Sequence, residues 1–348
     1  MLSATAAAAL FGSAPGYLNA AAMGLPTRDT LSAQRADLDA WSQAAVSPAG
    51  YEAVVERARA HYAKLVAVAL DRVAIASQTS AMVSVLAASL PEGAEVVVPL
   101  GEFSSIVFPF YALERRGVRT RSVPLNELAD AVTPDTAMVA FSLVQSATGE
   151  IAPVERILAS ASAVGARTVV DTTQAAGVYP VDAARFDATV CHAYKWLCCP
   201  RGVAFLTVSE QWQPSIPPIQ AGWYAGERIW DSTYGPEQQL AASARVFDVS
   251  PAWPAWVGAE PALQMFADLD IADAWRHATT LADCLLERLD REPQGQAIVT
   301  WLDADGADLR ALTEAGIAVS GRAGRVRLSF HLWNTPSDVD LAVAALRR

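Results

Sequence analysis

Asp171 closes the apolar run "RTVVD" (167–171), and Lys195 follows "ATVCHA" (188–193) after one tyrosine. Lys195 is one of two lysines in 348 residues, the other being Lys64. Its neighbours are His192, Tyr194 and Trp196. An amine set among aromatic side chains is desolvated, which favours its neutral, nucleophilic form. It can then condense with an aldehyde. A carboxylate at the end of a buried strand can keep a ring nitrogen protonated. Thr79 and Ser80, in "QTSAM", read as a helix start, whose free N–H groups suit a phosphate. Phe103, in "GEFSS", offers a flat face to a flat ring. The small molecule such a set would hold has an aldehyde, a pyridine nitrogen and a phosphate. Each residue alone has an ordinary structural reading: a turn aspartate, a solvated lysine, an N-cap pair, a core phenylalanine. Their order and placement favour chemistry.

The elements that would position them are legible as pattern. "YEAVVERARAHYAKLVAVAL" (51–70) has apolar residues at helical spacing. Short β-rich runs occupy 73–77, 95–99, 118–123, 137–144, 167–171, 188–193 and 203–208, most of them separated by helical patterns. Continuous apolar runs with helical crossovers predict a largely parallel sheet between helices, an α/β architecture. Ligands bind at the carboxyl ends of such strands. Thr79, Ser80, Glu102, Phe103, Gln145, Asp171 and Lys195 all follow strand ends. From 211 to 239 the chain is rich in Pro, Gly and aromatics and reads as a long ordered loop. Two helical segments follow from about 258. A small α+β unit, closed by the helix "SDVDLAVAALRR", ends the chain. The predicted division is an N-terminal segment (1–45) lining the site, a large domain (46–257) and a small domain (258–348).

The totals exclude several classes. The formal net charge of −11 argues against nucleic-acid or anionic-membrane partners, which need a basic face. No stretch approaches the roughly 20 apolar residues of a bilayer span. The opening "MLSATAAAALFG" lacks a basic region, so a cytoplasmic protein is expected. Cys191, Cys198, Cys199 and Cys284 fit no zinc spacing and read as packed, reduced thiols. No metal site is expected.

The stretch "VVDTTQAAGVYPVDAARFDATVCHAYKWLCCPRGVAFL" (169–206) resembles the class V aminotransferases. These are fold-type I pyridoxal-phosphate enzymes that include cysteine desulfurases, kynureninases and isopenicillin N epimerase-like proteins. "YLNAAAMGLP" (17–26), "GEFSSIVFPF" (101–110) and "RVRLSFHLWNTPSDVDLAVAAL" (325–346) resemble further landmarks. The resemblance implies pyridoxal 5′-phosphate as cofactor, with Lys195 as the Schiff-base lysine and Asp171 as the partner of the pyridinium. It implies Gln174 as donor to the ring hydroxyl oxygen and Phe103 as the stacking residue. Thr79, Ser80 and His192 would hold the phosphate, and Arg327 would grip the substrate carboxylate. Asn19 and Tyr224 are the further candidates for substrate binding. A homodimer with a shared site is implied, with Ser250 as a candidate contribution from the partner.

Desulfurases carry a nucleophilic cysteine on a loop before that arginine. The corresponding "EAGIAVSGRAGRVRLSF" has no cysteine and no room for a long loop. Transamination of an α-amino acid is therefore the first expectation. A Cβ lyase, either a C–S lyase or a kynureninase-like hydrolase, is the alternative, and a pseudoenzyme is a third. Trp223, Tyr224, Trp230, Trp253 and Trp256 would either line a roomy apolar pocket or pack the domains together.

Overall fold

The computed structural model describes residues 1–234 and 239–347. Residues 235–238, within the expected long loop, and Arg348, at the end of the expected last helix, lie outside the described residues. The elements run α1 (Ala4–Ala8), α2 (Arg28–Ser42), α3 (Pro48–Leu65), β1 (Val73–Ala76), α4 (Thr79–Ala87), β2 (Glu95–Pro99), α5 (Ser104–Tyr111) and β3 (Arg119–Val123). They continue with β4 (Thr136–Ser142), α6 (Val154–Val164), β5 (Arg167–Asp171), β6 (Ala188–His192) and β7 (Ala204–Val208). The last third holds α7 (Trp253–Asp268), α8 (Ile271–Arg288), β8 (Ile298–Leu302), α9 (Ala307–Glu314), β9 (Ser320–Arg322), β10 (Arg325–Ser329) and α10 (Pro336–Leu346).

The seven-stranded sheet has the order β1-β7-β6-β5-β4-β2-β3. Only β7 runs against its neighbours, pairing antiparallel with both β1 and β6. The other six strands therefore end on one edge. Side chains alternate across the sheet as strand geometry requires. Val139, Phe141 and Val170 face one apolar core, whereas Met138, Ala140 and Val169 face the other. Helices α3 and α7 cover the first face, and α4 and α5 cover the second. Each fully buried Val, Leu or Phe contributes roughly 1.5–3 kcal/mol relative to exposure. This two-sided burial is why the strands read as unbroken apolar runs. The helix expected over 51–70 starts at Pro48, capped by the Ser47 hydroxyl, and stops at Leu65. Ala67 then takes a positive φ of 56°, which ends the helical path.

The second sheet is antiparallel, in the order β8-β10-β9. The expected domain boundary at 257–258 falls inside α7, so the joint there is helical. The N-terminal segment stitches the two sheets together. Leu18 N–H donates to Ala318 O at 3.0 Å, and Ser329 N–H donates to Leu18 O at 2.9 Å. Six residues on, Gly24 N–H donates to Tyr194 O at 2.9 Å. One strap thus joins the small sheet to the turn that carries Lys195. Among the described residues, no helix is long and apolar enough to cross a membrane.

Candidate active site

The strand register places the key groups side by side. Ser142 pairs with Asp171 across β4 and β5, and Asp171 pairs with Val190 across β5 and β6. A pocket opens at this edge. Thr79, Ser80, Phe103, Asp171, Gln174, His192 and Lys195 all line it. These are the seven residues expected to hold the cofactor, drawn from the ends of four strands, β1, β2, β5 and β6.

Lys195 is buried, with Nζ 5.1 Å from the Phe103 ring centroid and 5.7 Å from that of Tyr194. Burial lowers its pKa from 10.5 to about 8, against the pull of Asp171 and with help from Arg327 and Arg322. About a tenth of the amine is therefore neutral near pH 7, far more than for an ordinary lysine. Asp171 is buried and accepts Thr173 N–H at 2.8 Å. Burial raises its pKa from 3.8 to about 6, while Thr173 and Lys195 oppose the shift and Glu102 adds to it. Acid and amine are thus moved towards each other, as at sites built for proton transfer.

Gln174 is fixed from three sides. Trp196 Nε1 donates to its Oε1 at 2.6 Å, and its Nε2 donates to Ala21 O at 3.1 Å and Ser146 Oγ at 3.0 Å. Thr79 and Ser80 open α4, where no side chain caps the helix and the first N–H groups face the pocket end. His192 is buried with Nε2 unpartnered, and its ring meets Tyr194 edge-on at 4.4 Å. Burial, then Arg201 and Lys195, push its pKa down to about 4, so it serves as a neutral imidazole.

Arg327 stands behind the pocket on β10. Its Nη1 donates to Ser146 O at 2.6 Å and Ser146 Oγ at 3.1 Å, and its Nε donates to Ser320 Oγ at 3.1 Å. None of these partners is a carboxylate, and Nη2 is buried without a partner. Burial lowers its pKa to about 10, which leaves it charged. A buried, uncompensated guanidinium is costly unless an anion joins it. Asn19 lies beside it on the strap, bridged to Ser329, with Oδ1 buried and unpartnered.

Tyr224 requires a correction. It is buried against Trp223, and its charged neighbours are Glu56, Arg59, Asp248 and Glu52, away from the pocket. Trp253 stacks on Tyr51 at 5.3 Å and Trp256 meets Phe205 edge-on at 5.4 Å, so both pack the α3–α7 layer. Trp230 donates to Glu52. The aromatic loop thus packs the fold of this chain rather than lining its pocket. Ser250 is exposed and also lies outside it.

Several residues of the site escaped the sequence reading. Thr173 orients Asp171, and Ser146 links Gln174 to Arg327. Tyr194 and Arg201 line the pocket. Glu102, which in the sequence only follows a strand, accepts Ser142 N–H at 2.7 Å, Ser142 Oγ at 2.6 Å and Gln145 Nε2 at 2.9 Å, which pins the Phe103 loop to β4. Only the position of Tyr194, between the two pocket residues His192 and Lys195, offered a signal.

The raised Asp171 value has a consequence for stability. Between 3.8 and about 6 the folded chain binds more protons than the unfolded chain. The contribution of this group is complete below pH 4 and is lost as pH rises through about 6. Without added cofactor, the loss is on the order of 3 kcal/mol. Asp171→Asn should flatten that part of the urea-unfolding profile between pH 4 and 7. Parallel profiles for the two proteins would show that Asp171 is not strained by burial.

An α/β fold with a lysine, an aspartate and a helix start at one strand edge defines a fold-type I pyridoxal-phosphate enzyme. Residues 39–341 match the family aminotransferase class-V, and the chain belongs to that family. Pyridoxal phosphate is the cofactor of this family. The chain is 26% identical over 291 residues to a "Probable cysteine desulfurase" of Streptomyces coelicolor, covering 72% of this chain and 68% of that one. It is 30% identical over 187 residues to the isopenicillin N epimerase of Streptomyces clavuligerus, under half of either chain (49% and 47%). The structure of the cystine C–S lyase C-DES, solved with its reaction product cysteine persulfide, superposes with a TM-score of 0.86 at 20% identity. That match covers 95% of this chain and 97% of C-DES. The residues of the pocket fit the cofactor. The neutral His192 with its unpartnered Nε2 and the uncapped start of α4 suit a phosphate, and the buried Asp171 suits a protonated ring nitrogen.

Proposed function

We propose that the chain is a pyridoxal-phosphate-dependent Cβ lyase that cleaves the C–S bond of a cysteine-derived amino acid. The observation that carries the reading is the contrast between Lys195 and the thiols. Lys195 lines the pocket with a lowered pKa, whereas none of the four cysteines lines it. Burial pushes the Cys191 thiol up to about 12, and the Cys198 and Cys199 thiols also lie well above their usual value. Between Ser320–Arg322 and Arg325–Ser329 only two residues remain, Ala323 and Gly324, so no cysteine-bearing loop reaches the site. The site has a proton carrier and no thiolate to take up sulfur. Sulfur therefore departs on the leaving group.

In this reading Lys195 holds the cofactor through its amine and then takes the Cα proton. Asp171 keeps the ring nitrogen protonated. When bound, pyridoxal phosphate supplies an aldehyde for the amine and a ring that withdraws electrons from Cα. Thr79, Ser80 and His192 hold the phosphate and Phe103 the ring face, while Gln174 turns to the ring oxygen the Nε2 hydrogen that otherwise meets Ser146 Oγ. Arg327 and Asn19 hold the substrate carboxylate, for which a planar guanidinium fork is suited. The Cα–H and Cβ–S bonds break and water supplies the carbonyl oxygen. A cysteine conjugate then yields pyruvate, ammonium and a thiol. The three-part division of the chain and a homodimer belong to the same proposal. Leu100, Phe103 and Phe108 leave apolar surface exposed near the pocket mouth for a second copy to cover. The free cysteines fit a reducing, cytoplasmic setting.

Transamination is the second reading, since Lys195 is equally placed to return a proton after taking one. Purified protein incubated with cysteine S-conjugates and no keto acid decides between them. The expected result is pyruvate and thiol in equal amounts over many turnovers. A single turnover that resumes only when a keto acid is added would establish transamination instead.

A further inference from the structure

We infer that Arg201 is the side chain that binds the cofactor's phosphate as a full positive charge. The inference rests on the reading of the pocket given above. Among the described residues that line the pocket, the basic side chains are Lys195, Arg201 and His192. A phosphate ester carries nearly two negative charges near neutral pH. The start of α4 offers only about half a charge. Lys195 is committed to the other end of the cofactor, because its nitrogen bonds the aldehyde carbon. His192 is neutral above about pH 4. Arg201 is the remaining basic group, and a guanidinium stays charged throughout.

The fold places Arg201 where this task needs it. Ala76, at the end of β1, pairs with Ala204, at the start of β7. Gln78–Ser80 and Arg201–Gly202 therefore leave adjacent strands on the same sheet edge, one opening α4 and the other entering β7. The loop holding Arg201 is tied at both ends to Ala193. Cys199 N–H donates to Ala193 O at 3.1 Å, and Ala193 N–H donates to Val203 O at 3.0 Å. Gly202 takes φ +105°, which turns the chain sharply between Arg201 and β7. The guanidinium lies 4.9 Å from the Tyr194 ring centroid, and that ring meets the imidazole of His192 edge-on. Tyr194 thus serves as a platform that orients Arg201 towards the side of the pocket shared by His192 and α4. Lys195 Nζ lies 5.7 Å from the centroid of the same ring, so one aromatic side chain borders both cations.

The test compares two probes that differ only in the phosphate. The full chain, stripped of cofactor, is titrated with pyridoxal 5′-phosphate and with pyridoxal, and binding is read by visible absorbance and tryptophan fluorescence. Arg201→Gln should weaken pyridoxal 5′-phosphate by about tenfold or more, the loss expected for a charge-assisted hydrogen bond. Its affinity for pyridoxal should equal that of wild type, and Arg201→Lys should recover part of the loss. Inorganic phosphate should compete with pyridoxal 5′-phosphate less well in Arg201→Gln than in wild type. Unchanged pyridoxal 5′-phosphate affinity would overturn the assignment, as would equal weakening of both probes. Unchanged affinity with a raised KM for the amino acid would place Arg201 on the substrate instead. Wild-type protein that takes up neither probe would overturn the pocket reading itself, a result distinct from all of these.

Discussion

Lys195→Ala should lose turnover by a thousandfold or more while the protein stays folded. Two functions leave with one side chain. The amine is the group that attaches the cofactor, and it is also the proton carrier at Cα, where general acid–base catalysis alone contributes roughly 10²–10⁴-fold. Stability moves the other way. The folded pKa of about 8 lies below the 10.5 of an ordinary lysine. The unfolded chain therefore binds more protons between those values, and the stability penalty is fully present below pH 8. Removing the amine relieves a cost on the order of 3 kcal/mol at pH 7, offset by the lost packing of its stem. Unfolding midpoints at or above wild type would separate lost chemistry from lost structure. Because the chain has only one other lysine, the assignment has an internal control. Lys64 is exposed and paired with Asp268 at 2.7 Å, remote from the pocket. Borohydride reduction of the protein with pyridoxal phosphate should mark the peptide holding Lys195 and leave Lys64 unmarked. A label on Lys64, or Lys195→Ala retaining more than about a hundredth of turnover, would sink the assignment.

The large sheet was legible because of how it is buried. The runs at 95–99 and 167–171 are strands with those bounds, and 73–77 and 203–208 differ by one residue at one end. Strands covered on both faces carry no polar interruptions, so composition alone outlines them. The cofactor residues were legible for a related reason. Asp171 and Lys195 are the polar exceptions at the ends of such runs, and the sheet brings those ends to one edge. What escaped depends on side-chain direction. Trp223, Tyr224 and Trp230 are aromatic whether they line a pocket or pack against one another, and the loop that carries them has no period to reveal which. Ser146 is a plain serine in the sequence. Its importance comes from lying between Gln174 and Arg327, residues 153 positions apart. Arg201 reads as part of a turn until the Tyr194 ring is seen beneath it.

Gly24 is likewise a plain glycine in "AMGLP" whose importance comes from its neighbours in the fold. Gly24→Ala should disturb the site more than most substitutions of residues that line it. A Cβ at this position would lie 2.0 Å from the carbonyl oxygen of Lys195 and 3.0 Å from the Cα and Sγ of Cys198. The first clash is with backbone, so no rotamer change relieves it. The strap cannot simply retreat, because Leu18 is bonded on both sides, to Ala318 and Ser329, and Ala21 N–H donates to Ser329 Oγ at 2.9 Å. The turn of Lys195 cannot easily yield either. Gly177, at φ +99°, packs so closely against Trp196 that a Cβ there would meet its carbonyl oxygen at 2.7 Å. One of the two must move, and either movement shifts Lys195 relative to Asp171. Overpacking of this kind costs roughly 1–3 kcal/mol or more. A displacement near 1 Å can cost about a hundredfold in rate. Gly12→Ala is the matched control, since nothing lies within 4 Å of a Cβ at that position. Its stability should stay within about 0.5 kcal/mol of wild type, with turnover unchanged. Gly24→Ala should lower the unfolding midpoint, weaken uptake of pyridoxal phosphate and cut turnover by at least tenfold, in keeping with a misplaced amine. Equal behaviour of the two variants would mean that the strap does not hold the lysine in place, and that Lys195 is positioned by its own turn alone.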